Sequence, residues 1–179
     1  MGLLMFSARV HDLMRRKSNI EYRLTQLTRK LSDLQDYATY VGNCADGNFD
    51  IGEALALPGS TLGRTMGYAG SVYNNSMAYA QQNAPYYQQM WMQQYGGNLD
   101  ANGQQMMNQY IMSQLYKEAA DKMQQKEVRK LKREEEKMKN EKEQLETLAK
   151  EVEQELQAAR QARDAGIKEM APKYVAGGQ

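Results

Sequence analysis

The residues best suited to chemistry lie in one acidic stretch, Asp46-Gly47-Asn48-Phe49-Asp50-Ile51-Gly52-Glu53. Its order is that of the second half of a helix–loop–helix calcium site. Asp46 would be an early carboxylate ligand, Gly47 the turn and Asn48 the carbonyl donor. Asp50 and the closing bidentate Glu53 would complete the half. The first half does not follow, because its two ligand positions fall on Gly42 and Cys44, which carry no carboxylate. Without those hard oxygens, Asp46, Asn48, Asp50 and Glu53 make only a weak calcium candidate. The reading that outweighs it is an acidic turn in which Asp46 or Asp50 caps the next helix.

No other constellation suggests catalysis, and neither an enzyme nor a cofactor is expected. His11 is the one histidine, and it falls on the flank of an apolar stripe. Cys44 is the one cysteine, so no intramolecular disulfide can form. There is no glycine-rich phosphate loop after a strand. The carboxylates sit on exposed helix among lysines, where nothing would perturb them. Formal net charge is +1, which provides no general field for nucleic acid, and nucleic acid is not an expected partner. Basic pairs such as Arg129-Lys130 and Lys132-Arg133 are offset by Glu134-Glu135-Glu136. No apolar run reaches membrane-spanning length, and Leu3 to Phe6 is too short for a leader core. The expected setting is cytosol, a particle, or export without a cleaved leader.

The elements that must position these residues are helices. Residues 1–41 carry Leu3, Phe6, Val10, Leu13, Lys17, Ile20, Leu24, Leu27, Leu31, Leu34, Ala38 and Val41 at alternating steps of three and four. That is a coiled-coil seam, interrupted by Lys17. The stem of Lys17 is expected to pack while its ammonium reaches water. Gly42 is placed to close the helix in a left-handed conformation. Residues 42–57 form the acidic loop.

Residues 58–103 are rich in Gly, Tyr, Gln and Met, and between Thr65 and Tyr116 the only charged residue is Asp100. Gly59, Gly63, Gly67 and Gly70 suggest a face that another backbone could approach. Leu62, Met66, Ala69, Tyr73, Met77 and Ala80 suggest a stripe on a glycine-weakened helix. Pro85 suggests the first turn of a further segment. A charge-poor surface of this length is expected to be covered by a partner or by other copies. A disordered, sticky segment is the competing reading.

Residues 104–170 read as one long helix, about 100 Å at the usual rise. It opens apolar, with Met107, Ile111, Leu115, Ala119 and Met123, and becomes charged. A seam returns at Leu145, Leu148, Val152, Ala159 and Ala162, with Glu155 as a break. Pro172 stops the helix, and residues 171–179 form a tail.

The expected fold is all-α, a long coiled-coil-type helical hairpin or rod around an uncharged middle of short helices and loops. The expected function is a structural, self-assembling helical subunit of a filament, appendage or other homo-oligomer. Its contacts with copies of itself are placed at Val10, Leu13, Ile20, Leu24, Leu27, Leu31, Leu34, Val41, Met90, Trp91, Ile111, Leu115, Leu145, Leu148 and Val152. The alternatives are a coiled-coil adaptor that binds other proteins through the centre, and a calcium-responsive module.

Overall fold

The computed structural model describes residues 2–44, 47–95 and 100–170 of the 179. Among them the protein is all-α, with no strand. Helix α1 spans Gly2–Asn43, α2 Ile51–Ala56, α3 Gly59–Tyr95 and α4 Ala101–Met170. The middle is therefore one helix of 37 residues, and not short helices joined by loops. Asp46 of the calcium reading and the tail 171–179 lie outside the described residues. The chain divides into a terminal unit, residues 1–30 with 137–179, and a central unit, residues 31–136.

In the terminal unit the start of α1 and the end of α4 pack side by side. Val10, Leu13, Ile20, Val152 and Leu156 form the buried core, with Leu24, Leu145, Ala149 and Ala159 packed against it. The α4 seam thus steps through Leu145, Ala149, Val152, Leu156 and Ala159. This corrects the expected register. Glu155 does not break the seam, because it lies beside it and bonds to Arg9 at 2.8 Å. Leu148 sits off the seam and is 43% exposed. Steps of four, three, four and three keep one face toward α1, and Leu148 lies about 60° from the centre of that face. Lys17 keeps its place in the α1 seam, half-buried, with its ammonium bonded to Glu153 and 3.8 Å from Glu21.

In the central unit the end of α1 packs with α2, α3 and the first half of α4. The apolar volume comes from tyrosine, alanine and methionine in place of the scarce Phe and Trp. Tyr37, Val41, Val72 and Ala80 are almost wholly buried. Ala80, Ala84, Met107, Ile111 and Leu115 form a second cluster, flanked by Tyr79, Tyr87, Trp91, Met112 and Tyr116. The buried face of α3 runs through Thr61, Thr65, Tyr68, Val72, Ser76 and Ala80; it shares Ala80 with the expected stripe and otherwise lies one residue before it. Met66 and Tyr73 are exposed as a result. Threonine can serve in this core because its hydroxyl bonds within its own helix turn. Thr65 Oγ1 donates to Thr61 O at 3.0 Å, and Thr61 Oγ1 donates to Pro58 O at 2.9 Å.

Proline and glycine behave differently from expectation. Pro85 lies inside α3 and does not open a new segment. It denies the Gln81 carbonyl its helical donor, but both residues are exposed, so water can supply one. Gly42 does not turn the chain either, because α1 runs on to Asn43 and Cys44 N still bonds to Tyr40 O at 3.1 Å. The glycines at 59, 63, 67 and 70 meet nothing within 4 Å where a Cβ would stand, so they form no close-approach face.

The close approach is at Gly47, which has a φ of 74°. A Cβ there would lie 2.7 Å from Tyr116 Cε1 and 3.1 Å from Ala120 Cβ on α4. Opposite outcomes are expected from the same substitution at two glycines. Gly47→Ala should destabilise by about 1–3 kcal/mol, from the left-handed backbone and the collision together. Gly67→Ala, in open helix, should stabilise by up to about 1 kcal/mol. Chemical denaturation of the two variants checks both signs.

Candidate functional site

The acidic loop contributes structure through Asp50. Its carboxylate accepts hydrogen bonds from Gly52 N at 2.7 Å and Glu53 N at 3.3 Å, capping α2. Asn48 and Glu53 are exposed. Among the described residues no three His, Cys, Asp or Glu side chains gather closely enough to hold a metal ion. Burial raises the Cys44 thiol above its ordinary pKa, which disfavours a reactive thiolate. Burial likewise pushes Tyr40 up to about 12, with the Cys44 beside it adding to the shift.

The most elaborate polar arrangement lies in the central unit. Arg64 on α3 reaches Glu127 Oε1 at 3.1 Å and Glu134 Oε2 at 2.7 Å, both on α4. Its guanidinium lies 4.9 Å from the centre of the Tyr37 ring. Tyr37 is 0% exposed, and its hydroxyl donates to Glu127 Oε1 at 3.3 Å. Burial pulls the Arg64 pKa down, yet the bonds to Glu134 and Glu127 outweigh it and hold the cation above its ordinary value. Burial, with Glu127 adding, raises Tyr37. The four groups link α1, α3 and α4.

A groove of about 740 Å³ opens beside this network. Tyr68 and Tyr79 form its aromatic floor, with Ala119 and Met123, and the wholly buried Tyr37 lies beneath Arg64. Lys122, Lys126 and Lys130 line the α4 wall at successive steps of four. Lys122 bonds to Glu118 at 2.6 Å and stands 5.5 Å from the centre of the Tyr79 ring. Lys130 is 3.9 Å from Glu127. Lys126 has no ionic partner among the described residues. The groove can accept an anionic group above an apolar surface. The sequence did not reveal it, because its tyrosines and lysines come from segments more than forty residues apart.

A second feature is the uncharged face of the same unit. On one side of the α3–α4 pair Gln88 Nε2 donates to Asn108 Oδ1 at 2.9 Å. At about 100° per residue, Tyr86 and Met90 fall on the opposite flank of α3, and Met106 and Tyr110 on the opposite flank of α4. All four are exposed, Met106 by 71%.

The residues expected to meet other copies are distributed unevenly. Val10, Leu13, Ile20, Leu24, Leu27, Leu145 and Val152 are buried or half-buried in the terminal unit. Leu31, Leu34, Val41, Trp91, Ile111 and Leu115 are buried or half-buried in the central unit. The chain's own helices cover these side chains. Met90 and Leu148 are exposed. Ala149 and Leu156 of the seam were missed because Leu148 and Glu155 beside them fitted a heptad begun one step differently.

No family model matches the chain, and neither a curated protein nor a solved structure matches it. No described helix is long and apolar enough to cross a membrane.

Proposed function

We propose that the chain is a structural subunit that associates with copies of itself through the uncharged side of α3 and α4. The observation that carries this reading is the exposed set Tyr86, Met90, Met106 and Tyr110, on a region whose only charge between Thr65 and Tyr116 is Asp100. The intramolecular clusters leave this face uncovered, although tyrosine and methionine are favoured in protein interfaces. Contiguous exposed apolar surface rimmed by polar residues marks an interaction site. The adaptor reading rests on a centre that orders only with its partner. Helix α3 is continuous to Tyr95 in the chain by itself, which favours self-association.

Sedimentation equilibrium tests the reading. The chain should associate at micromolar concentration. Met90→Glu combined with Met106→Glu should keep its helical circular dichroism and weaken association by more than about tenfold, since each 1.4 kcal/mol lost is a factor of ten. A wild-type chain that stays monomeric to about 100 μM, an affinity weaker than roughly 5 kcal/mol, would defeat it.

A further inference from the structure

We infer that the lysine-walled groove of the central unit receives, from a second copy, the outer face of α4 between Asn140 and Glu151. This rests on the reading of the chain as a self-associating subunit and names one contact by which it does so.

The groove offers four cations, Arg64, Lys122, Lys126 and Lys130, against one lining carboxylate, Glu127. Adding Glu118 and Glu134, which bond to Lys122 and Arg64, still leaves one positive charge uncompensated. The occupant must bring negative charge to the rim and apolar surface to the aromatic floor.

The outer face of α4 in the terminal unit has that chemistry. Its surface is formed by Asn140, Glu143, Gln144, Thr147, Leu148 and Glu151. The Glu143 and Glu151 carboxylates have no ionic partner among the described residues. Leu148 lies outside the core of its own unit and is exposed.

The spacing matches as well as the sign. Lys122 and Lys130 are eight residues apart on a helix, and so are Glu143 and Glu151. Both pairs therefore span about 12 Å. With the two helix segments antiparallel, Glu151 faces Lys122 and Glu143 faces Lys130. Leu148 then falls between the levels of Met123 and Lys126, over the apolar floor. The parallel alternative sets Leu148 at the level of Glu127, whose carboxylate would lose solvent without gaining a partner, so the antiparallel sense is the one inferred.

The test uses the full chain in two charge-reversed forms. One carries Lys122→Glu and Lys130→Glu, and the other carries Glu143→Lys and Glu151→Lys. Each form alone sets like charges against each other and should self-associate at least about tenfold more weakly than wild type at low salt. An equimolar mixture restores opposite charges at every such contact. Its association should return to within about threefold of wild type, and added salt should weaken it. Recovery on mixing also excludes simple misfolding of either form. Leu148→Ser should weaken association without changing its salt dependence. If both reversed forms associate as wild type does, the groove contact is wrong while self-association stands. If each is weakened and mixing restores nothing, the pairing of these two surfaces is wrong. A wild-type chain that does not associate removes both readings.

Discussion

Leu156→Ala is expected to destabilise the terminal unit by about 2–5 kcal/mol, the range for deleting a buried leucine from a closed core. Leu156 is 2% exposed and lies among Val10, Leu13, Ile20 and Val152. Among the described residues the unit is built from two helices, so no third layer can collapse into the cavity. Leu148→Ala removes the same atoms from the same helix and should change stability by less than about 0.5 kcal/mol, as surface substitutions do. Solvent already reaches much of the Leu148 side chain, which stands outside the packed core. Thermal or urea unfolding of the two variants reads the register of α4 directly. Equal losses, or a larger loss at Leu148, would mean that the seam runs through Leu148 and Glu155.

Arg64→Ala is expected to cost about 2–4 kcal/mol in the central unit. The loss of one partner from a fully buried ion pair costs about 3–5 kcal/mol, because the other charge is left uncompensated. The value here is lower because the Arg64 side chain is 31% exposed, and water screens part of the interaction. Glu127 makes the loss substantial. Its side chain is 17% exposed, and without Arg64 its remaining partners among the described residues are the Tyr37 hydroxyl at 3.3 Å and Lys130 at 3.9 Å. The substitution also uncovers the face of the Tyr37 ring.

Arg64→Lys should recover only part of the loss, since an ammonium cannot bond two carboxylates as a planar fork or stack on the ring. Arg64→Met combined with Glu127→Leu should cost less than Arg64→Ala alone, because the more buried carboxylate is gone and Glu134, 37% exposed, is left to water. A loss below about 0.5 kcal/mol for Arg64→Ala, the scale of an ordinary surface change, would show that the network holds nothing together.

Local periodicity was readable in α1 because a seam of Leu, Ile and Val stands out against polar neighbours. It misled in α3 and in the last part of α4. In α3 the buried face includes Thr61, Thr65 and Ser76, whose polarity hides them from a search for apolar stripes. The backbone carbonyls that satisfy the threonines become visible only once the turn is formed. In α4 a run containing Leu145, Leu148, Val152, Leu156 and Ala159 admits two registers. The choice depends on which face α1 covers, and no local rule contains that information. Glycine misled for a related reason. Its spacing in α3 suggested close packing, whereas the tight contact is at Gly47, where α4 passes the loop after α1.

The sequence by itself determined the all-helical class, the long helices at both ends, the scarcity of charge through the middle, and a calcium-loop pattern missing half its ligands. These follow from composition and from spacing within a few turns, which act along the chain. Tertiary structure alone decided which leucines are buried, that Arg64 joins Tyr37, Glu127 and Glu134, and that three α4 lysines stand beside three tyrosines. Each of those depends on segments far apart in sequence meeting at a given rotation, and burial is a property of that meeting, not of either segment alone.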